Sequence, residues 1–244
     1  MNAAYTILGK YFEYLNDNCD YIKWSQYLHI TLKKYSKISL ISGLDIGCGN
    51  GFYTRFFTDL GIDMTAIDCS ESMLTVAREQ AKQYHHNTQY ISANILEYTA
   101  PAQKSFAIAI NDCFNYIPPM QLSTALQNIA NSLQKGGILI FDISTAYKFQ
   151  EELDGQVFCD DKEDIAYIWH NTLTKEYLDM HLTFFIKEAD GRYKREEEWH
   201  RQYIHKKANI LKELHDSGFK VLECSGHLGD KKDKLRANFI CEKL

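Results

Sequence analysis

The stretch Leu44-Asp45-Ile46-Gly47-Cys48-Gly49-Asn50-Gly51 constrains this chain more than any other. Leu40–Ile46 reads as a short apolar strand and Phe52–Leu60 as a helix stopped by Gly61. Glycines at alternate positions between them permit a tight turn and leave the backbone open to a ligand. A strand that turns this way into a helix also presents the helix's free N–H groups. The rhythm then repeats. Asp63–Ile67 is a strand closed by Asp68, and Ser70 caps a helix carrying Met73, Leu74, Ala77 and Ala81 at helical spacing. Strands follow at Gln89–Ser92, Phe106–Ile110 and Ile138–Ile143, with a helix from about Met120 to Leu133 and a turn at Lys135-Gly136-Gly137. Strands alternating with helices predict an α/β, Rossmann-like fold: a central, mostly parallel sheet with helices on both faces.

Both ends depart from that rhythm. Residues 5–37 read as helical, with Leu8, Tyr11, Phe12 and Leu15 on one face, then Tyr21, Trp24, Leu28 and Tyr35 on another. Asn16-Asp17-Asn18-Cys19-Asp20 breaks the run, and Asp20 suits an N-cap. After residue 144 the segments 165–173, 177–187 and 192–203 have strand character without intervening helices, and Asp190-Gly191 signals a hairpin. An antiparallel meander is expected there. A helix at Ala208–Ser217 and strands at Phe219–Ser225 and Arg236–Cys241 return the chain to the αβ pattern. The organisation expected is an N-terminal helical lid (1–38), a Rossmann-like domain (39–144 and 206–244) and an inserted antiparallel cap (145–205).

Composition narrows the partners. A net charge of −5 with scattered basic residues argues against a nucleic-acid footprint, which needs clustered Lys and Arg. Lys231-Lys232-Asp233-Lys234 is interrupted by an acid and reads as a solvated loop. The seven cysteines, Cys19, Cys48, Cys69, Cys113, Cys159, Cys224 and Cys241, form no C-x-x-C pair. With no leader-like start and no stretch long enough to cross a bilayer, they read as reduced thiols of a cytoplasmic protein without a membrane partner.

In open parallel sheets ligands sit at the carboxyl ends of the strands. Three strand ends here carry suitable residues: the turn at Gly47, Cys48 and Gly49, the carboxylate of Asp68, and Asn94 beside Ile95. A carboxylate at the end of the second strand can accept both hydroxyls of a ribose. The third glycine arrives one residue too early for a pyrophosphate turn, where Phe52 stands instead, and no Lys-Ser/Thr follows as in a phosphate loop. The residues alone therefore point to a nucleoside-bearing cofactor.

The motifs together resemble the class I S-adenosylmethionine-dependent methyltransferases. Leu44–Gly51 is similar to their first motif, Ala66-Ile67-Asp68-Cys69-Ser70-Glu71-Ser72-Met73-Leu74 to their second, and Gly136-Gly137-Ile138-Leu139-Ile140-Phe141-Asp142 to their late strand. Tyr11 to Trp24, Asn115-Tyr116, and Tyr193-Lys194-Arg195 with Glu198 and His200 resemble bacterial small-molecule members with an antiparallel β-lid. Two positions depart: Phe12 replaces the acid usual after the first lid tyrosine, and Asn94 replaces the usual Asp, keeping an acceptor oxygen without the charge. The resemblance implies S-adenosylmethionine as cofactor. It places Asp45 and Gly47 against the methionine part, Asp68 on the ribose, Cys69 and Met73 beside the adenine, and Asn94 and Ile95 at the adenine edge. Asn111 and Asp112 would face the methionine and the reacting centre. Tyr11, Tyr21 and Trp24 would close over the site, although ordinary helix packing explains each ring equally well.

Methyl transfer to an N or O atom of a small molecule is an in-line displacement needing alignment and desolvation, with a modest base if the acceptor starts protonated. If Asp190-Gly191 is a two-residue turn, His181 lies opposite His200 and Thr183 opposite Glu198 on one face, with Leu182–Trp199 and Leu178–Tyr203 on the other. The polar face offers His200 and Glu198 as a base, with Asp112 the other catalytic candidate; a solvated outer face is the alternative. No Cys joins these residues at ligand spacing, so no metal is expected. Three rival functions stand beside this one: methylation of RNA, DNA or protein, a non-catalytic cofactor-binding module, and a nicotinamide oxidoreductase. The Asn111–Tyr116 segment lacks the N-P-P-aromatic run typical of nucleic-acid N-methyltransferases, its prolines coming only at Pro118-Pro119.

Overall fold

A computed structural model describes residues 4–15, 20–86 and 88–244. The expected break over Asn16–Cys19 lies outside the described residues. Two helices, α1 (Leu8–Leu15) and α2 (Tyr21–Tyr35), come first, and the Asp20 carboxylate caps α2 by accepting from the Lys23 N–H at 2.9 Å. The strand-turn-helix units follow as β1 (Ser42–Ile46), α3 (Phe52–Asp59), β2 (Asp63–Asp68), α4 (Glu71–Gln83), β3 (Gln89–Ser92), β4 (Lys104–Ala109), α5 (Leu122–Ser132) and β5 (Leu133–Ser144). A short helical stretch, α6 (Ala146–Lys148), runs on through Phe149–Leu153 into strands β6 (Val157–Asp161), β7 (Ile165–Leu173), β8 (Tyr177–Lys187) and β9 (Tyr193–Tyr203). Helix α7 (Lys207–Asp216) and strands β10 (Phe219–Ser225) and β11 (Arg236–Lys243) end the chain.

The central sheet has the order β3-β2-β1-β4-β5-β11-β10, with β11 antiparallel to both neighbours and the remaining pairs parallel. Its middle strand β4 is buried from end to end, as expected of a strand covered on both faces. Alternation along the strands builds two cores. Ala107, Ala109, Leu139 and Phe141 meet α5 and α7 through Leu126, Ile129, Ile210 and Leu214. Phe106, Ile108, Ile138 and Ile140 meet α2 and α3 through Trp24, Leu28, Leu32 and Phe57. Strand order reverses between β1 and β4, so the crevice beyond their carboxyl ends is where this topology receives a ligand.

Strands β6-β7-β8-β9 form a separate antiparallel sheet. Its inner face, Leu178, Met180, Leu182 and Phe184 of β8 with Ile165, packs on Phe149 and on Ile7 and Leu15 of the N-terminal segment. Two features differ from expectation. Lys135-Gly136-Gly137 lies inside β5 rather than closing a turn before it, the irregularity being absorbed by Gly136 at φ +78°. Strand β6 has no buried residue, so no hydrophobic pattern announced it.

The hairpin register also differs. Beyond the ends of β8 and β9 the pair Glu188 and Arg192 closes a loop of three residues, not two: Glu188 N–H donates to the Arg192 carbonyl at 2.8 Å, and Gly191, at φ +84°, donates to the Glu188 carbonyl at 2.9 Å. His200 therefore pairs with Met180, Glu198 with Leu182, Trp199 with His181 and Gln202 with Leu178. One residue of slip sends every side chain of one strand to the other face. Glu198 and His200 belong to the packing face and are 0% and 4% exposed, while His181 stacks on Trp199 outside, ring centroids 4.7 Å apart.

Candidate functional site

At the switch point the chain encloses a cavity of about 320 Å³. Its floor is the turn after β1. Gly47, Gly49 and Gly51 all have positive φ, and two of them also have no room for a side chain. A Cβ on Gly47 would lie 2.5 Å from Cys113 Sγ, and one on Gly51 would lie 2.7 Å from Tyr90 Oη. Behind the floor Asp45, 1% exposed, accepts from the Thr54 hydroxyl at 2.5 Å and does not reach the cavity.

Asp68 ends β2 at the cavity wall. One carboxylate oxygen accepts from Gly49 N–H at 2.8 Å and the other from Ser70 N–H at 2.7 Å. Burial pushes this carboxyl up, and the backbone donors of Ser70 and Gly49 oppose that rise. Cys69, Met73, Asn94, Ile95 and Leu96 line the adjoining end. The Asn94 Oδ1 accepts from Leu96 N–H at 3.0 Å, which fixes its orientation at the rim.

The end of β4 is shaped by Asn111 and Asp112, both in the left-handed region at φ +62° and +64°. Such residues cost about 1–3 kcal/mol each and need outside support. Asp142, fully buried on β5, supplies it by accepting from the N–H of Asn111 at 2.7 Å and of Asp112 at 3.4 Å. The turn aims Asn111 into the cavity and Asp112 out of it. Asp112, expected at the reacting centre, binds Arg236 at 2.9 Å with Lys148 at 3.8 Å. Burial works against its charge, but Arg236 and then Lys148 outweigh it and hold the carboxyl below its ordinary value.

The roof comes from the N-terminus. Tyr5, Phe12 and Tyr21 line the cavity with Phe52, Tyr53 and Tyr116. Tyr11 and Trp24, expected here, do not: Tyr11 packs against the antiparallel sheet, and Trp24 is in the core beneath α2. The helical period was right, but α1 and α2 serve different cores. Glu13 on α1 latches the roof to the floor, accepting from Asn50 Nδ2 at 2.8 Å and from Gln80 Nε2 at 2.9 Å. Glu198 holds the other end of α1, accepting from the N–H groups of Tyr5 and Ile7 at 2.8 and 2.6 Å. Sequence reasoning missed Tyr5, Glu13 and Arg236, whose partners lie on distant elements. Asn115-Tyr116 was visible in the motif, but its placement was not: Asn115 ties the ends of β5 and β9 together through Ser144 and Tyr203.

Among the described residues that line the cavity there is no Lys, Arg or His, and the one carboxylate is Asp68. A pyrophosphate would find neither cation nor phosphate turn. A nucleoside without phosphate needs neither. A positive charge on that ligand would face aromatic rings and the Asp68 carboxylate, with no competing cation among the described lining residues.

Asp45 carries a pH signature. Burial pushes its carboxyl from 3.8 up to about 7, with Thr54 opposing and the Asp68 charge adding to the rise. The folded state then holds a proton that the unfolded chain releases, so this group's contribution is complete below pH 3.8 and is lost as pH rises through 7. The size is about 4 kcal/mol at most. Urea unfolding at pH 4.5 and pH 8 should show Asp45→Asn gaining about 2–4 kcal/mol relative to wild type between the two. Parallel wild-type and variant curves would sink this reading.

Residues 44–137 match the model of a methyltransferase domain. A provisionally named methyltransferase of Geobacillus sp. (strain WCH70) is 26% identical over 98% of this chain and 100% of its own length. Among solved structures, an S-adenosylmethionine-dependent methyltransferase from Clostridium acetobutylicum superposes with a TM-score of 0.87 at 24% identity, covering 96% of each chain. An S-adenosylmethionine-bound amino pentose methyltransferase from Micromonospora echinaspora superposes with a TM-score of 0.77 at 14% identity, over 95% of this chain and 94% of that one.

Proposed function

We propose that this chain, a class I S-adenosylmethionine-dependent methyltransferase, methylates a nitrogen or oxygen atom of a small molecule beneath its N-terminal roof. The observation that carries the reading is the cavity: its described lining residues include no cation, one carboxylate at the nucleoside end and six aromatic rings around the rest. Such a chamber suits a compact acceptor that can be shut away from water, and an amino pentose methyltransferase shares the fold. In this reading residues 145–205 form the acceptor cap, resting on the same N-terminal segment that closes the roof. Free thiols at the six described cysteines suit the reducing cytoplasm proposed for it.

The bound cofactor supplies a methyl group on a positively charged sulfur, activated for in-line transfer. The chain supplies position. Asp68 would hold the ribose; Cys69, Met73, Asn94 and Ile95 the adenine; Gly47, Cys48 and Gly49 the passage between; Asn111 the methionine end. Asp45 acts from behind the turn, as a buried acidic group near the positive charge. Tyr5, Phe12, Tyr21 and Tyr116 exclude water and orient the acceptor, a contribution that proximity and desolvation make large. Asp112 cannot act as a base while Arg236 and Lys148 hold it; its work is to set Asn111. His200 and Glu198 do not line the cavity and touch it only through Tyr116 and Tyr5.

The test is a panel of amino and hydroxy sugars, amines and phenols incubated with S-adenosylmethionine, following release of S-adenosylhomocysteine. Turnover on at least one of them, with none on RNA, DNA or protein, is the expected result. Turnover confined to a macromolecule would overturn the acceptor class. Cofactor binding without turnover on any substrate would favour a non-catalytic module.

A further inference from the structure

The cavity's aromatic wall connects to a buried acid that no part of methyl transfer described so far employs. Tyr5 Oη lies 3.0 Å from Tyr116 Oη, Tyr116 Oη lies 3.0 Å from His200 Nδ1, and His200 Nε2 lies 2.6 Å from Glu198 Oε1. The two phenols line the cavity, whereas the imidazole and carboxylate are sealed from it and from solvent. Resting on the methyl-transfer reading, we infer that Tyr5, Tyr116, His200 and Glu198 form a relay that carries the acceptor's proton out of the cavity into the antiparallel sheet.

The direction of every bond in the chain follows from Glu198. Burial works to raise its pKa, but His200 and the N–H groups of Ile7 and Tyr5 outweigh it and keep the group ionised. An ionised carboxylate only accepts, so His200 donates from Nε2 and its Nδ1 lone pair is left to accept from Tyr116. Tyr116 then offers its oxygen to the Tyr5 hydroxyl, and Tyr5 offers its oxygen to the cavity. Burial raises both phenols well above their ordinary values, Tyr116 adding to the rise at Tyr5, so neither stands as a phenolate. They pass a proton along instead of storing a charge.

The step balances without any oxidant or reductant. The acceptor's N–H or O–H bond breaks as a new O–H bond forms on Tyr5. The old Tyr5 proton moves to Tyr116, and that of Tyr116 to His200 Nδ1. The electron pair left on the acceptor atom forms its bond to the incoming methyl group. The result is an imidazolium beside a carboxylate, a pair stabilised in a site without water. Holding the start of α1 explains Glu198 by itself; it does not explain an imidazole placed between that carboxylate and two phenols of the cavity wall. Because Tyr5 belongs to the N-terminal segment that Glu198 holds, the relay is complete only while that segment is in place.

Charged groups surround the relay. Asp112 and Asp68 act on the phenols from the strand ends, with Arg236 and Lys148 neutralising Asp112, and Glu198 faces the ring directly. Glu198→Gln should lower kcat, because the imidazolium formed at the end of the relay loses its countercharge. His200→Gln should lower kcat about 100-fold, with the cofactor Kd unchanged.

The deciding experiment needs no acceptor. Long-range ¹H–¹⁵N correlation spectra of histidine-labelled protein with S-adenosylhomocysteine bound should show His200 protonated on Nε2 and bare on Nδ1. The Nδ1 signal should shift in Tyr116→Phe, and by a smaller amount in Tyr5→Phe. A proton on Nδ1, or an Nδ1 signal indifferent to Tyr116→Phe, overturns the relay. A kcat unchanged in Glu198→Gln and His200→Gln also overturns it, leaving those residues a structural role. A panel with no methylated acceptor would instead count against the proposed function, while the ring spectra still decide whether the hydrogen-bonded chain exists.

Discussion

Asp68→Asn should bind S-adenosylmethionine about 100-fold more weakly than wild type, the larger part of the loss arising inside the protein rather than at the ribose. Both carboxylate oxygens are already engaged, by Gly49 N–H at 2.8 Å and Ser70 N–H at 2.7 Å. An amide offers one oxygen, so its NH₂ group must face one of these N–H donors. Gly49 belongs to the floor turn, and Ser70 caps α4 by accepting from Met73 N–H at 3.3 Å. The variant therefore loosens two walls of the nucleoside end while it removes one acceptor for the diol. A hydrogen bond to a charged acceptor contributes about 1.5–3 kcal/mol, and 1.4 kcal/mol is tenfold in affinity, so two such losses account for the factor. Since burial raises the Asp68 carboxyl, wild-type affinity should also weaken as pH falls and this group takes a proton; the variant should lack that dependence. Calorimetric titration at pH 5.5 and 8 measures both effects. A Kd within about threefold of wild type, in a variant whose melting is unchanged, would remove Asp68 from the cofactor site.

The parallel sheet and its ligand edge were legible because their signals are local. β1, β4 and β5 are apolar runs bounded by turn residues, and the glycine turn announces itself by conformations that other residues adopt at a cost. The antiparallel sheet was legible in outline but not in register. Asp190-Gly191 can close a loop of two residues or complete one of three, and the two choices put opposite faces of β9 into the core. The pattern of β9 favoured the wrong choice. Trp199 and Tyr203 look like packing residues and Glu198 and His200 like surface ones, yet the buried set includes the acid and the histidine. Burying them is tolerable only because Glu198 meets N–H groups near residue 7 and His200 meets Tyr116, partners 191 and 84 residues away. No sequence window contains such pairs. For the same reason, of the three N-terminal rings expected to close over the site only Tyr21 lines the cavity, beside Tyr5 and Phe12, while Tyr11 and Trp24 pack elsewhere.

Arg236 is a second residue whose importance has no local sign, and its removal should be among the costliest single changes in this chain. Its guanidinium joins two carboxylates, Asp142 and Asp112, and lies over the Trp24 ring at 5.9 Å. Asp142 is fully buried and has no cation other than Arg236 among its described ion-pair partners; Asp112 also has Lys148. Breaking a buried pair by deleting one partner costs about 3–5 kcal/mol, because the charge left behind is uncompensated. Arg236→Met keeps the apolar stem and the contact with Trp24, so the loss it measures is that of the charge. Urea denaturation at pH 8 should show a destabilisation in that range. The cost should shrink as pH falls, since the stranded carboxylates can then take protons in the folded state. Adding Asp112→Asn should recover part of it, with a coupling too large for independent sites. Function should fail along with stability. Asp142 holds the N–H groups of Asn111 and Asp112, and those two left-handed residues aim Asn111 into the cavity. Cofactor affinity of the folded Arg236→Met protein should fall about tenfold, although Arg236 does not line the cavity. A loss under about 1 kcal/mol that is the same at pH 5.5 and 8 would show the carboxylates to be compensated by other means, and the strand-end turn to stand without Arg236.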